Sequence, residues 1–263
     1  MTITTSSRTG YDDVGAGQPA LLLLPGWCGD RTVFDPLLPL VAAHRRAVSM
    51  DLRDHGEAAR TDEDFTAAAV VDDALDLICG LGLEQVVPVG LSHAGWLAIE
   101  LRRRLGAQRV PALILLDWMV LGPPPGFVDA LAGLQDEASW QSVRGGLFQM
   151  WTTDVDVPAV HGYVAQMSQY GFRHWRRAGR EIAAAFAREG SPLAALERLE
   201  EVCPTLHLYA QPADDAVLAA QRQYAAEHPW FHVRRLDARS HFPMFEVPEQ
   251  IATAVERFLC PTT

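Results

Sequence analysis

Six short apolar runs recur along this chain, each closed by a turn or a polar residue: residues 20–24, 46–51, 85–90, 111–117, 205–210 and 231–236. Runs this short and nearly unbroken fit strands covered on both faces, which is how parallel sheets read. Between them lie stretches of helical length at 66–81, 94–105, 216–227 and 248–259. Alternating strands and helices predict a parallel sheet layered between helices. A chain of 263 residues with a 49% hydrophobic share suffices for one such domain with an insertion. The first 19 residues are polar and turn-rich, and are expected to form an antiparallel hairpin at the sheet edge.

The alternation breaks between about 120 and 200. Gly122-Pro123-Pro124-Pro125-Gly126 ends it, and an aromatic-rich stretch from Phe127 to Phe186 follows. This stretch reads as several amphipathic helices inserted between two strands, over the strand C-termini where open α/β sheets bind ligands. The expected division is core over 1–120, helical cap over 121–200 and core again over 201–263.

Val89-Gly90-Leu91-Ser92-His93-Ala94-Gly95 joins a predicted strand to a predicted helix. That is the setting of a nucleophile elbow, a sharp turn that lifts a hydroxyl above the sheet. Ala94 stands where the usual pattern has its second Gly. A Ser that merely caps the helix is the plainer alternative. Leu24-Pro25-Gly26-Trp27-Cys28-Gly29 follows the first strong strand, where this architecture supplies one oxyanion-hole N–H; the residue after the elbow supplies the other. Backbone N–H groups of Trp27 and His93 are therefore nominated. Arg239-Ser240-His241-Phe242-Pro243 follows the last predicted strand, where the chain order Ser…Asp…His puts the base. Asp117, closing its strand, is the preferred acid over Asp214 or Asp215. Together these features predict an α/β-hydrolase fold with Ser92, His241 and Asp117 at one end of the sheet.

Other motifs carry less. Asp51-Leu52-Arg53-Asp54-His55-Gly56 has the form of a structural turn; His55 and Glu57 also match the spacing of part of an iron triad, a short match that arises easily by chance. Gly15-Ala16-Gly17 precedes a strand and so is not a dinucleotide loop. A net charge of −11 and the lack of a basic run argue against nucleic acid or anionic membranes as partners. Arg102-Arg103-Arg104 is expected to be the solvated face of a helix. The four cysteines have no zinc-ligand spacing, and no apolar run reaches bilayer length. The start, Met1 to Thr5, lacks the pattern of a secretory signal, so a cytoplasmic protein with no metal is expected.

Specific strings narrow the reading. Gly26-Trp27-Cys28, Ser92-His93-Ala94-Gly95-Trp96, Leu116-Asp117-Trp118, Gly146-Leu147-Phe148 with Trp151, Gly190-Ser191-Pro192, Glu227-His228-Pro229-Trp230-Phe231 and His241-Phe242-Pro243 occur in order. Over about residues 20–258 the chain resembles the cofactor-independent dioxygenases of 3-hydroxy-4-oxoquinolines. The resemblance implies His241 as general base oriented by Asp117, Ser92 as a hydrogen-bonding group, Trp27 and His93 as N–H donors, and Trp151 lining the pocket. It implies O2 and an alkyl hydroxyquinolone as substrates, no cofactor, and carbon monoxide with an N-acylanthranilate as products. Gly29 and Leu91 stand where the best-known quinaldine enzymes have His. Both changes predict a less polar pocket, and Gly29 a roomier one, suited to a 2-alkyl chain such as heptyl. A serine esterase or amidase, or a binding protein without turnover, are the competing readings.

Overall fold

The computed structural model describes residues 9–260. Its seven described strands form one sheet: β1 (Tyr11–Val14), β2 (Ala20–Leu24), β3 (Ala47–Met50), β4 (Val86–Leu91), β5 (Leu113–Leu116), β6 (Thr205–Tyr209) and β7 (Phe231–Arg235). Their spatial order is β1-β3-β2-β4-β5-β6-β7, and every pairing is parallel except β1 with β3. Strands β2 through β6 are buried at every position. That explains their unbroken apolar runs: helices cover both faces, so no alternation survives. Leu22 and Leu23 lie at the centre of this layer with no exposed surface; truncating either to Ala would cost about 2–5 kcal/mol.

The helices are α1 (Leu38–Ala42), α2 (Ala67–Gly80) and α3 (Gly95–Arg109), then α4 (Phe127–Gly133), α5 (Trp140–Thr152), α6 (Pro158–Met167), α7 (Phe172–Glu189) and α8 (Pro192–Glu197), and finally α9 (Asp215–Glu227) and α10 (Pro248–Leu259). Helices α4 to α8 form the insertion between β5 and β6. No described helix is long and apolar enough to cross a membrane.

Register decides where the chemistry gathers. Leu24 pairs with Gly90, Leu91 with Leu116, and Leu116 with Leu208. Four neighbouring strands therefore end at one level, and the loops after them emerge side by side. Those loops carry Trp27, Ser92, Asp117 and Ala210.

Two expectations are corrected. Among the described residues of the N-terminal segment there is one antiparallel strand at the sheet edge, as expected, but no hairpin partner within the segment. Residues 1–8, including the Met1–Thr5 stretch, lie outside the described residues, and Tyr11–Val14 instead pairs antiparallel with β3, Tyr11 opposite Met50. The open edge of β3 offers backbone partners, the Tyr11 ring is buried, and Asp12 and Asp13 pair with Arg31 and Arg46. The arginine run is not simply a solvated face either. Arg102 is buried and donates to the carbonyls of Glu201 and Val202, while Arg103 pairs with Glu189. Only Arg104, bound to Glu100 and Asp72, fits the expectation of a surface charge.

Candidate active site

Three residues at the strand ends hold the left-handed backbone conformation that L side chains rarely adopt: Cys28 (φ 60°), Ser92 (φ 53°) and Asp117 (φ 44°). Each costs of order 1–3 kcal/mol, held in place by the surrounding structure. At the elbow the chain turns directly from β4 through a 3-10 turn at Ser92–Ala94 into α3. A Cβ on Gly90 would lie 2.7 Å from the Gly95 nitrogen, and one on Gly95 would lie 2.3 Å from the Trp118 ring. The demand for a missing side chain thus falls on Gly90 and Gly95, and Ala94 is tolerated between them.

His241 enters from the opposite side. His241 Nδ1 lies 2.6 Å from Asp117 Oδ2. A carboxylate only accepts, so Nδ1 carries the hydrogen and Nε2 is left as the proton acceptor. Asp117 is buried, and its Oδ1 accepts from the backbone N–H groups of Ala210 (2.5 Å) and Gln211 (2.9 Å). Asp214 caps α9 and Asp215 pairs with Arg235, so neither competes for the imidazole. The Trp151 indole stacks on the imidazole, centroids 4.9 Å apart and planes at 18°, and the Trp151 carbonyl accepts from the His241 N–H. Ser92 and His241 face the same cavity, with no hydrogen bond between them among the described residues.

The loop after β2 is held residue by residue. The Cys28 N–H donates to His55 Nε2, Gly29 to the Gly26 carbonyl, Asp30 to the Tyr163 hydroxyl and Arg31 to Asp51 Oδ1. Among the described residues, Trp27 N–H has no such acceptor, so it is the donor this loop leaves available. His93 heads the first turn into α3, where N–H groups lack intrahelical partners. Its side chain is fixed too: Trp118 Nε1–H donates to His93 Nδ1 at 3.1 Å, and the ring stacks on Phe127. Burial, reinforced by His241, lowers the His93 pKa to about 3, so this imidazole stays neutral.

His55 has a structural place. Its Nδ1 donates to the Arg53 carbonyl at 2.7 Å, its Nε2 is taken by Cys28, and burial lowers its pKa to about 3. Glu57 is bound to Arg31. Neither is available as an iron ligand, and the described residues contain no cluster of three or more His, Cys, Asp or Glu arranged to hold a metal.

A narrow, largely apolar cavity connects these parts. Trp27, Leu91, Ser92, His93, Met119 and His241 form its sheet-side wall. The inserted helices form the other wall with apolar side chains: Leu131 on α4 and Leu134 just after it, Leu147, Met150 and Trp151 on α5, Tyr163 and Met167 on α6, Trp175, Ala178 and Ile182 on α7. Sequence reasoning singled out Trp151 but not the aliphatic members; their i, i+3, i+4 spacing was the available signal. The expected extra room beside Gly29 is corrected: a Cβ there would meet the Tyr163 hydroxyl at 2.2 Å, so a tyrosine already fills that space.

Residues 21–254 match the model of the alpha/beta hydrolase family. A 2-heptyl-3-hydroxy-4(1H)-quinolone dioxygenase of Mycobacteroides abscessus is 38% identical over 256 residues, covering 95% of each chain. The 1H-3-hydroxy-4-oxoquinoline 2,4-dioxygenase of Pseudomonas putida is 36% identical, covering 92% of this chain and 91% of its own. A solved structure of an AqdC variant in complex with its substrate, from work on ring cleavage of the Pseudomonas quinolone signal, superposes with a TM-score of 0.94 at 36% identity over all of both chains.

Proposed function

Because the chain belongs to the alpha/beta hydrolase family and, within it, to the 3-hydroxy-4-quinolone dioxygenases, we propose that it opens the ring of a 2-alkyl-3-hydroxy-4(1H)-quinolone by the steps below. The preferred substrate carries a 2-heptyl chain. The observation that supports this most directly is a histidine whose Nδ1 is committed to a buried carboxylate while the ring faces an apolar cavity.

His241 Nε2 takes the proton of the 3-hydroxyl. Asp117 keeps the imidazole in the accepting tautomer and stabilises the imidazolium that results. The substrate anion places its charge against the N–H groups of Trp27 and His93. Ser92 donates a hydrogen bond to the bound ring and stays unacylated. Ground-state O2 is a triplet, so the anion first passes it one electron and the two radicals then recombine at C2. The peroxide closes onto C4, and C3 leaves with its oxygen as carbon monoxide. Both atoms of O2 remain in the N-acylanthranilate, one in the amide and one in the carboxylate, so the atoms balance. The inserted helices keep water from the anion until O2 has reacted.

The test is aerobic incubation of purified protein with 2-heptyl-3-hydroxy-4(1H)-quinolone. The expected outcome is carbon monoxide and N-octanoylanthranilate in equal amounts. Recovery of unchanged quinolone would overturn the reading. Ser92 and His241 on one cavity, with Asp117 buried behind the imidazole, also suit a serine hydrolase; ester turnover abolished by Ser92→Ala would favour that alternative.

A further inference from the structure

One face of α6 touches more of the site than its share of the cavity wall suggests. Tyr163 and Met167 line the cavity, while Tyr170, in the turn after the helix, packs against the His55 ring at 5.0 Å and its hydroxyl accepts from the Gly56 N–H. The Tyr163 hydroxyl also reaches the loop after β2, where it accepts from the Asp30 N–H at 3.0 Å and donates to the Asp30 carbonyl at 3.1 Å. Gln166, three residues on and so on the same face, donates to Asp30 Oδ2 at 2.5 Å. The Tyr163 ring packs edge-on to Phe242, next to the base, at 5.2 Å.

The loop is shaped for this contact. Gly29 is not among the positive-φ glycines, so its conformation does not require glycine. Space does: a Cβ would sit 2.2 Å from the Tyr163 oxygen and 3.2 Å from its Cζ. We propose that Tyr163 is a positioning residue for the ring-cleavage reaction. Its hydroxyl, carried on an inserted helix, fixes the Gly29–Asp30 backbone so that the Trp27 N–H faces the charge developing on the quinolone. The phenol is suited to the task, because burial holds it protonated and able to donate. The oxyanion site is then complete only while α6 is seated, so shelter from water and stabilisation of the anion arrive together. This rests on the dioxygenase reading above.

The test follows the proton of the bound substrate. Under anaerobic conditions the absorbance of 2-heptyl-3-hydroxy-4(1H)-quinolone bound to the protein is titrated with pH, and oxygen is then mixed in. Tyr163→Phe should raise the pH of half-ionisation by about one unit and lower kcat about tenfold, with affinity for the neutral quinolone within about threefold of wild type. Gly29→Ala should do the same. The double variant should be no worse than either single one, because removing the hydroxyl frees the space the methyl needs. Gln166→Ala, a milder change at the edge of the contact, should shift ionisation in the same direction by less, and serves if Tyr163→Phe does not fold. An unshifted ionisation in these variants, losses confined to affinity, or single losses that multiply in the double variant would each overturn the proposal. Failure of the wild type to release carbon monoxide would instead defeat the dioxygenase reading; a working wild type with an indifferent Tyr163→Phe defeats this inference alone.

Discussion

The two walls of the cavity are made differently. On the sheet side, each polar group sits at a strand end and is held by its neighbours: Asp117 by two backbone N–H groups, His241 by Asp117, the Trp27 loop by His55 and Asp51. On the helix side the lining is apolar, and one of its helices, α5, is loosely held. None of the thirteen residues of α5 is buried, Met150 is 51% exposed, and Gly145 and Gly146 face open space. Elements with few buried contacts lie at the low-stability end of a protein. The sheet wall is therefore suited to fix what reaction occurs, and the helix wall to select which alkyl chain enters. Trp151 and Tyr163 cross the divide, since both belong to the helices yet hold parts of the sheet-side machinery.

Acid should break the sheet wall with the largest effect. His55 and His93 have folded-state pKa values lowered to about 3, and His207, which accepts from the Trp118 N–H, to about 4, all by burial. A depressed histidine pKa means the unfolded chain binds the proton first. Their contribution is complete above the unfolded value near 6.5 and is lost as pH falls from there towards 4 and 3. Each costs about 1.4 kcal/mol per pH unit in that window, enough jointly to remove most of a margin of about 5–15 kcal/mol. Denaturant melts from pH 7 to 4 should show this slope, and a flat profile would refute it.

Turnover measurements sharpen the contrast. His241→Ala should lower kcat about 10³–10⁴-fold with little change in KM. Asp117→Asn should cost about 10³-fold, because a carboxamide can donate to Nδ1 and turn the proton onto Nε2. Ser92→Ala should keep roughly a tenth of the activity; complete loss would mean a covalent role for the hydroxyl. On the helix wall, Leu147→Phe should leave kcat nearly intact and shift the preferred chain length by a methylene or two. The change in affinity should be about fourfold per methylene, since each is worth about 0.8 kcal/mol. Equal effects on kcat from both walls would dissolve the distinction.

Much of this was legible in the sequence for identifiable reasons. Strands β2 to β6 announce themselves because burial on both faces removes polar residues from them. Asp117 was visible because it follows Leu113–Leu116 with no loop to blur its position. The edge strand Tyr11–Val14 was not, since its partner β3 lies more than thirty residues on and its two aspartates pair with distant arginines. Gly29 was seen but misjudged: an absent side chain suggests empty space, and only the three-dimensional structure shows Tyr163 occupying it. The same limit hid Arg102, whose carbonyl partners lie about a hundred residues away.

The left-handed backbone at Cys28, Ser92 and Asp117 has an evolutionary corollary. At Cys28 and Asp117 the fold itself uses the side chain, one packed in the core and the other accepting from the Ala210 and Gln211 N–H groups. Ser92 has no such hydrogen bond among the described residues, and glycine or asparagine would suit its backbone better. A descendant freed from the reaction should shed the Ser92 side chain early and gain stability in doing so.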